Sequence, residues 1–422
     1  MSEETAYGRT IRYIKLFFLH GGLFLLPFGF FTGPATGFLT LAWLAEGKWK
    51  SKWENIRSTS LLWPGIFFFL FLLAGMLWTA NSHDGWFSIQ VKFGLFLLPL
   101  IIRSMSFDAK GTQRVLLTFI LGLAAAGLFM LVRAAYLHYT KGIDAFYYQS
   151  LAARLPHPSY LSMYYCAGIM LLFHGILLQS FKPKPYKIIA IGLCLFFAVM
   201  IFLLSSKLGI LSMILLFAGY IVYSIFRFRR YVVGISALLA LVIGCFIALK
   251  AFPQVAARLD RMKEVLLMSD AKADPTAVES NQARLLVWQA DYAIVNRHAW
   301  TGVGTGDAED SLKAEYQARG MTGAYNEKLN AHSQLFQSAI VLGIPGLLAL
   351  LLLVFYPAAW SLRKQYGFAV LFALLFFFNI VPESMLERQD GTLFFGYFYS
   401  LILFAIDRRC LTPLKAPPLS FL

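Results

Sequence analysis

The sequence of 422 residues contains little charge: Asp, Glu, Lys and Arg together make up 14%, against about 25% in soluble globular chains. Hydrophobic residues make up 59%, against about 45–50% in soluble chains. So few polar side chains could not cover a water-soluble surface, and this composition excludes a soluble enzyme and a disordered protein. Aromatic residues reach 16%, which suits contact with lipid and with membrane interfaces. The composition therefore predicts a polytopic membrane protein.

Cysteine and metal-binding motifs are also scarce. None of the four cysteines has C-x-x-C spacing and most lie in apolar runs, so neither a disulfide framework nor a zinc site is indicated. There is no HExxH motif and no His-rich cluster. The pair Asp307 and Glu309 could chelate a cation, but Asp307 is more simply interpreted as a helix cap. We predict no metal and no cofactor.

A nucleotide site is not indicated either. The glycine-rich segment 302–306 resembles a nucleotide-binding loop, but it lacks a preceding strand, a Walker lysine and GxGxxG spacing. The net charge of +15 could suggest nucleic-acid binding. However, the basic residues form short clusters between apolar runs and no extended basic face. That arrangement is typical of topogenic charge, so we predict no nucleic-acid partner.

The apolar runs predict an all-α integral membrane protein with about 12 transmembrane helices, since a spanning helix needs about 20 mostly apolar residues. The basic N-terminal segment and its apolar run resemble a signal peptide, but no small-residue cleavage site follows, so we expect a retained first helix. The first two spans could also be one interrupted span, because Pro27, Gly33 and Pro34 divide them. The candidate spans are residues 12–29, 32–46, 60–79, 87–103, 114–137, 158–179, 188–205, 209–226, 232–250, 335–357, 367–382 and 393–407.

Alternate connecting segments contain more than half of the 37 Lys and Arg residues. By the positive-inside rule these segments and both termini are cytoplasmic. The predicted organisation is transmembrane helices 1–9 over residues 1–250, a large periplasmic loop over 251–334, and transmembrane helices 10–12 with a cytoplasmic tail over 335–422. The clusters are Arg9, Arg12 and Lys15; Lys48, Lys50, Lys52 and Arg57; Arg103, Lys110 and Arg114; Lys182, Lys184 and Lys187; Arg227, Arg229 and Arg230; Arg363 and Lys364; Arg408, Arg409 and Lys415.

The loop of 251–334 is too long to be structureless in a compact protein, so we expect it to contain short helices. Asp274 followed by Pro275 predicts the start of one helix. An apolar stripe formed by Leu285, Trp288, Tyr292 and Val295 indicates that a helix lies in this region. The next helix is predicted to begin with Asp307 as its cap and to end at Gly320, after a turn made by the glycines of 302–306.

Two residues of this loop are the main candidates for chemistry. His332 lies where the loop re-enters the membrane, and an imidazole there can titrate near neutrality and act as a general base. Alternatively, it is an interfacial histidine that only forms hydrogen bonds. Arg284 opens an amphipathic stretch, and its guanidinium matches phosphate oxygens. It could equally be part of a solvated helix face.

Other charged residues are predicted on the same outer side, close to the membrane. They are Lys207 after Ser205 and Ser206, Arg154 before span six, Glu383, Glu387 and Arg388 in the last outer loop, and Lys92 within an apolar run. Ionisable groups at membrane depth are costly and point to function, although single ones can snorkel to the interface. We expect the basic members to bind an anionic lipid headgroup.

The order and spacing of several motifs resemble the O-antigen ligase and O-antigen polymerase family, bacterial membrane enzymes that use glycans linked to undecaprenyl diphosphate. The specific resemblance covers about residues 195–355. The matching motifs are Arg284 with Trp288, the turn from Thr301 to Gly306, Asn330-Ala331-His332 with Leu335, and the segment from Gly343 to Gly346.

The resemblance implies metal-independent, inverting glycosyl transfer at the periplasmic face of the bacterial inner membrane. His332 would be the base that deprotonates the acceptor hydroxyl, and Arg284 would hold the donor diphosphate. Lys207 stands where the family often has arginine, which keeps the charge but loses bidentate geometry. Lys207, Arg154 and Arg388 are further candidates for binding the diphosphate, with Asn330 and Glu383 in supporting roles.

The expected function is therefore ligation of O-antigen to lipid A–core in lipopolysaccharide biosynthesis, with the lipid-linked glycan, the hydroxyl acceptor and the bilayer as partners. Two alternatives share the donor and differ in the acceptor: a Wzy-type polymerase and a protein O-oligosaccharyltransferase. A polysaccharide transporter or flippase is a third alternative, of a different class. It would favour inverted repeats, broken helices at the midplane and buried charge pairs.

Overall fold

The computed structural model describes residues 6–105, 109–177, 184–228, 281–363 and 367–407, with scattered residues between 231 and 278. Across this part of the chain the secondary structure is entirely helical. The helices are α1 (Ala6–Leu25), α2 (Thr32–Ala45), α3 (Trp49–Arg57), α4 (Trp63–Gly75), α5 (Ser82–Ser104), α6 (Ala109–Lys141), α7 (Tyr148–Ala152), α8 (Pro158–Leu177), α9 (Lys184–Leu203), α10 (Lys207–Phe228), α11 (Asn281–Arg297), α12 (Ala308–Ala318), α13 (Thr322–Asn326), α14 (Gln334–Arg363), α15 (Gly367–Ile380) and α16 (Gln389–Asp407).

Five helical segments within the described ranges are long and apolar enough to cross a membrane, and a sixth is possible if the bent pair α3 and Ser60–Gly75 is one span. That pair is bent by 86°. The protein is thus a multi-pass helical membrane protein, and the count of twelve spans is not confirmed. The ninth predicted span, 232–250, falls mainly outside the described residues. The five segments are Ala6–Phe28, Ser82–Ser104, Lys110–Lys141, Lys184–Leu203 and Gln334–Arg363.

The first two predicted spans form a hairpin, which decides between the alternatives that the sequence left open. The hydroxyl of Tyr7, near the start of α1, donates to the carbonyl of Ala45 at the end of α2 over 2.7 Å. One continuous interrupted span would place these ends far apart. The reversal occurs at the 3-10 turn Leu26–Phe28, where Pro27 interrupts the helix and Gly29 has a φ of 78°.

The chain divides into two compact units. The first comprises Met1–Phe119 and Met268–Leu422, and the second comprises Ile120–Leu267. In the first unit, α16 packs along α5, α1 along α2, and α14 against both α4 and α15. Its core includes the fully buried rings of Phe376, Phe394 and Phe398. In the second unit, α8 packs against α9 and α10.

The last part of the large loop contains three helices, α11, α12 and α13. The glycine turn and the end of α12 are confirmed, since Gly302 and Gly320 both have positive φ and Gly320 comes directly after Arg319, the C-cap residue of that helix. Pro275 lies in a turn in which the backbone N–H of Thr276 donates to Asp274. The prediction of a helix starting at Pro275 was therefore wrong, because the Asp274 carboxylate closes a local turn instead.

Two details of these helices differ from the prediction. Asp307 occupies the cap position of α12, but its side chain does not cap that helix. Its carboxylate instead accepts the backbone N–H groups of Ala80 at 2.8 Å and Asn81 at 2.7 Å, which fixes the loop before α5. The predicted apolar stripe of α11 is not its buried face, because Tyr292 is 65% exposed. The buried face is formed by Ala283, Val287, Ala290, Asp291 and Ile294.

Candidate active site

Helix α11 places Arg284 against the last loop of the first unit. Its Nη2 donates to Oε1 of Glu383 over 2.5 Å, although the two residues are 99 positions apart. The Arg284 side chain is 36% exposed and that of Glu383 only 16%. A guanidinium has five N–H donors, so this bond leaves further donors for a second anion.

His332 precedes α14 in a constrained backbone conformation. Its φ of 44° lies in the left-handed region, which non-glycine residues adopt rarely and often at functional sites. The side chain of Asn330 holds this turn, because its Oδ1 accepts the N–H of His332 at 3.0 Å. On the other side, the indole N–H of Trp288 donates to the His332 carbonyl over 3.4 Å. Two hydrogen bonds, one within the turn and one from α11, thus hold the backbone of His332.

The Glu383 carboxylate lies between the arginine and the histidine. Its Oε2 is 4.0 Å from Nδ1 of His332, and its Oε1 accepts the hydrogen bond from Arg284. Nδ1 is buried and has no hydrogen-bond partner among the described residues. The Nδ1 side of the ring therefore faces a carboxylate, an arrangement that orients an imidazole.

A second polar network holds the loop that carries Glu383. Gln334, the first residue of α14, accepts the N–H of Leu386 at 2.7 Å and donates to Glu387 over 3.0 Å. The other oxygen of Glu387 accepts from Nζ of Lys92 at 2.6 Å. Lys92 is almost fully buried in α5, so it is an ion-pair partner and not a snorkelling lysine. The loop that carries Glu383 is thereby attached to both α5 and α14.

The glycine turn and the helix break of α14 form one interlocked structure. Helix α14 breaks at Gly343, whose φ is 67°, and Pro345 has no N–H to donate to the carbonyl of Val341. The N–H of Gly304 donates to that carbonyl over 3.1 Å. The neighbouring N–H of Val303 donates to the Ile340 carbonyl over 2.8 Å. The turn thus satisfies carbonyls that the break leaves without their helical donors.

Two positions in this interlock leave no space for a side chain. A Cβ on Gly302 would lie 2.4 Å from the backbone nitrogen of Leu342, and one on Gly343 would lie 2.6 Å from the carbonyl oxygen of Ala299. The same carbonyl accepts the N–H of Ile344 at 2.7 Å. The segment that resembles a nucleotide loop therefore has a structural function, which is to hold α11 against the break of α14.

We compared the sequence with models of known protein families. Residues 192–351 match the model of a family described as O-antigen ligase. This segment is an O-antigen ligase family domain. The match confirms the family that the motifs indicated, and no curated protein matches the sequence.

The O-antigen ligase domain includes Arg284, His332, the glycine turn and the break of α14. Glu383, Glu387 and Lys92 lie outside the matched residues, although the first contacts Arg284 and the other two hold its loop. The candidate site thus combines the domain with two segments of the chain beyond it.

The other three residues that were predicted to bind the diphosphate are Arg388, Arg154 and Lys207. Arg388 follows Glu387 and is exposed, and its carbonyl accepts from Thr392. Arg154 and Lys207 belong to the second unit. Arg154 is exposed with a φ of 72°, and Lys207 is the first residue of α10. The roles of these three residues in binding a diphosphate remain predictions from the sequence.

Sequence reasoning missed the contributions of Gln334 and Ser384. The hydroxyl of Ser384 accepts the N–H of Ser333 at 3.2 Å, and both serines are buried. The available signal was the polar run Ser333-Gln334 at the start of an otherwise apolar helix, since buried polar side chains need partners. Their partners could not be inferred, because they lie about 50 residues further along the chain.

Asp291 is an unexpected buried acid on α11. It is fully buried, and neither carboxylate oxygen has a hydrogen-bond partner within the described part of the chain. Burial therefore raises its pKa well above the ordinary value, because the ionised form has lost its hydration. The carboxyl is consequently held as the neutral acid in the folded protein over a wider pH range than an exposed aspartate.

Proposed function

We propose that this protein transfers a glycan from undecaprenyl diphosphate to an acceptor hydroxyl, as the ligase that attaches O-antigen to lipid A–core. The observation that carries the proposal is the convergence of Arg284, Glu383 and His332 in a chain with an O-antigen ligase family domain. A base and a phosphate-binding cation are the two groups that such a transfer needs.

In the proposed reaction, Nε2 of His332 accepts the proton of the acceptor hydroxyl. The oxygen then bonds to the anomeric carbon of the donor, and the bond between that carbon and the phosphate oxygen breaks. Its electron pair leaves with undecaprenyl diphosphate, whose charge Arg284 stabilises without a metal. A direct displacement of this kind inverts the anomeric centre. The carboxylate of Glu383 stabilises the imidazolium that forms.

Because Arg284 is paired with Glu383, binding of the donor would also change the environment of His332. A diphosphate has more negative charge than a carboxylate, and arginine binds its oxygens in a bidentate manner. Donor binding would therefore draw Arg284 from Glu383 and leave that carboxylate to His332. We propose that the base is fully oriented only when the donor is bound.

The bilayer gives the reaction its location. We propose that the site lies at the periplasmic face of the inner membrane, with both termini in the cytoplasm. The prenyl tail would then remain in the hydrocarbon layer while the glycan stays in water. A membrane-impermeant maleimide applied to intact spheroplasts would test this: a Ser82→Cys variant, at the start of α5, should react, and the outer location is wrong if it reacts only after lysis.

The function is tested by reconstituting the purified protein in proteoliposomes with purified lipid-linked O-antigen and lipid A–core. Formation of the linked product, with an inverted anomeric configuration by NMR, supports the proposal, and its absence contradicts it. A deletion strain separates the ligase from a polymerase. Loss of all O-antigen from lipid A–core indicates the ligase, whereas cores that carry a single repeat indicate the polymerase.

A further inference from the structure

An open groove runs along the exposed side of α11 and ends just beyond the C-terminus of α12. Its volume is about 620 Å³. Helical spacing aligns Trp288, Tyr292 and Asn296 in one row, and Gln289 with Arg297 in the next. The arginine that follows α12, Arg319, closes the far side.

The aromatic rings of the groove are unusually accessible for their size. Tyr292 is 65% exposed, although a phenol ring normally buries most of its apolar surface. Trp288 is half-buried and lies beside it in the same row. The C–H faces of sugar rings pack against aromatic rings of this kind. The side chains of Gln289 and Asn296 provide both donors and acceptors, as sugar hydroxyls require.

The groove also has a positive end. Arg297 and Arg319 both pair with Glu315, the latter over 2.6 Å. Two cations around one carboxylate leave a net positive charge, and the Arg297 side chain is still 59% exposed. Guanidinium groups in this state can bind a phosphate or a carboxylate from solution.

The other end of the groove reaches the candidate active site. Trp288 lines the groove, and its indole N–H donates to the carbonyl of His332. A ring stacked on Trp288 would therefore lie one side chain away from the backbone of His332. Trp288 thus links the groove to the turn that carries His332, and the groove leads away from it toward the two arginines.

We propose that this groove binds the acceptor: a saccharide that bears a phosphate or a carboxylate, stacked on Trp288 and Tyr292 with its anionic group at Arg297 and Arg319. The proposal rests on the proposed function, because it assumes that His332 activates the acceptor hydroxyl. It adds the feature by which the acceptor is selected, which is negative charge at a fixed distance from the reactive hydroxyl.

Binding can be measured without turnover, using protein in lipid nanodiscs and the delipidated, phosphorylated core oligosaccharide as the probe. We expect saturable binding that is weakened about three- to tenfold by Tyr292→Ala and by Arg297→Ala. Dephosphorylated oligosaccharide should bind as weakly as the arginine variant. Tyr325→Ala and Lys313→Ala are matched controls, because they remove an aromatic ring and a paired cation of the same loop outside the groove.

Kinetics then distinguish the acceptor from the donor. In proteoliposomes, Tyr292→Ala should raise KM for the acceptor by a similar factor and leave KM for the donor unchanged. A change in the donor KM alone would assign the groove to the donor glycan and overturn the proposal. Equal binding of the probe by wild type and Tyr292→Ala would also overturn it. If the probe binds as expected but no transfer occurs, the proposed function is contradicted, whereas binding of an anionic saccharide in the groove is still supported.

Discussion

Oε2 of Glu383 lies 4.0 Å from Nδ1 of His332, while the other oxygen of the same carboxylate accepts a hydrogen bond from Arg284. One carboxylate thus connects the proposed base with the proposed diphosphate-binding residue. We propose on this basis that Glu383 is a positioning residue, whose loss should affect the rate more than binding.

The Glu383→Gln variant tests this role. The amide keeps the size of the side chain but removes the charge that stabilises an imidazolium. We expect kcat to fall by at least about tenfold, and by less than the loss of the base itself, with KM for the acceptor unchanged. Glu309→Gln is the control, because Glu309 is a more exposed carboxylate that pairs with Lys313 within α12. A change in the acceptor KM at constant kcat would assign Glu383 to binding.

The ion pair of Lys92 and Glu387 tests how the site is supported. Lys92→Met leaves Glu387 in a largely buried position without its cation. We expect a loss of about 3–5 kcal/mol in stability, because an uncompensated buried charge is costly. Thermal unfolding in nanodiscs measures this, and the double variant Lys92→Met, Glu387→Leu should recover part of the loss. Lys313→Met, in a more exposed pair, should cost less than about 1 kcal/mol. Equal losses in the two single variants would contradict the prediction.

The contact between the glycine turn and α14 predicts that alanine is tolerated only at those glycines that have room for a methyl group. In Gly302→Ala the new methyl group would collide with the backbone of α14, so we expect little folded protein on size-exclusion chromatography. Gly320→Ala is a matched control, because Gly320 has nearly the same φ, 65°, and no atom within 4 Å. It should cost only about 1–2 kcal/mol of backbone strain. Similar yields of the two variants would show that the interlock is unimportant.

The buried carboxyl of Asp291 predicts a pH dependence of stability. Burial raises its folded-state pKa above the value near 3.8 in the unfolded chain. Its contribution to stability is therefore full below that unfolded value and is lost as the pH rises toward and through the folded one. Asp291→Asn cannot ionise, so the melting temperature of the variant minus that of wild type should increase from pH 4 to pH 8. A constant difference would mean that the pKa of Asp291 is not raised.

The features that could be predicted from the sequence are those that depend on neighbouring residues in the chain. Apolar runs predicted the helical membrane protein, and Gly320 marked the end of α12 because a glycine there adopts a positive φ. The ordered motifs predicted the family. Helix α11 shows the limit of periodicity, because its exposed aromatic row follows the same spacing as a buried face. Periodicity identifies a face of a helix but not what covers it.

The candidate site could be predicted only in part, for a related reason. Arg284 and His332 were identified from their position and from the resemblance. Their connection through Glu383 depends on packing between segments about 100 residues apart, which no spacing rule encodes. Likewise, the donors that satisfy the Val341 carbonyl come from a turn about 40 residues earlier.

The most direct test of His332 as the base is the single-turnover rate of His332→Ala in proteoliposomes with saturating donor and acceptor. His83→Ala is the control, because His83 has a side chain that is 91% exposed and pairs with its neighbour Asp84. We expect His332→Ala to be slower by about 10²- to 10⁴-fold with His83→Ala unchanged. Transfer by His332→Ala at the wild-type rate would show that His332 is not the base.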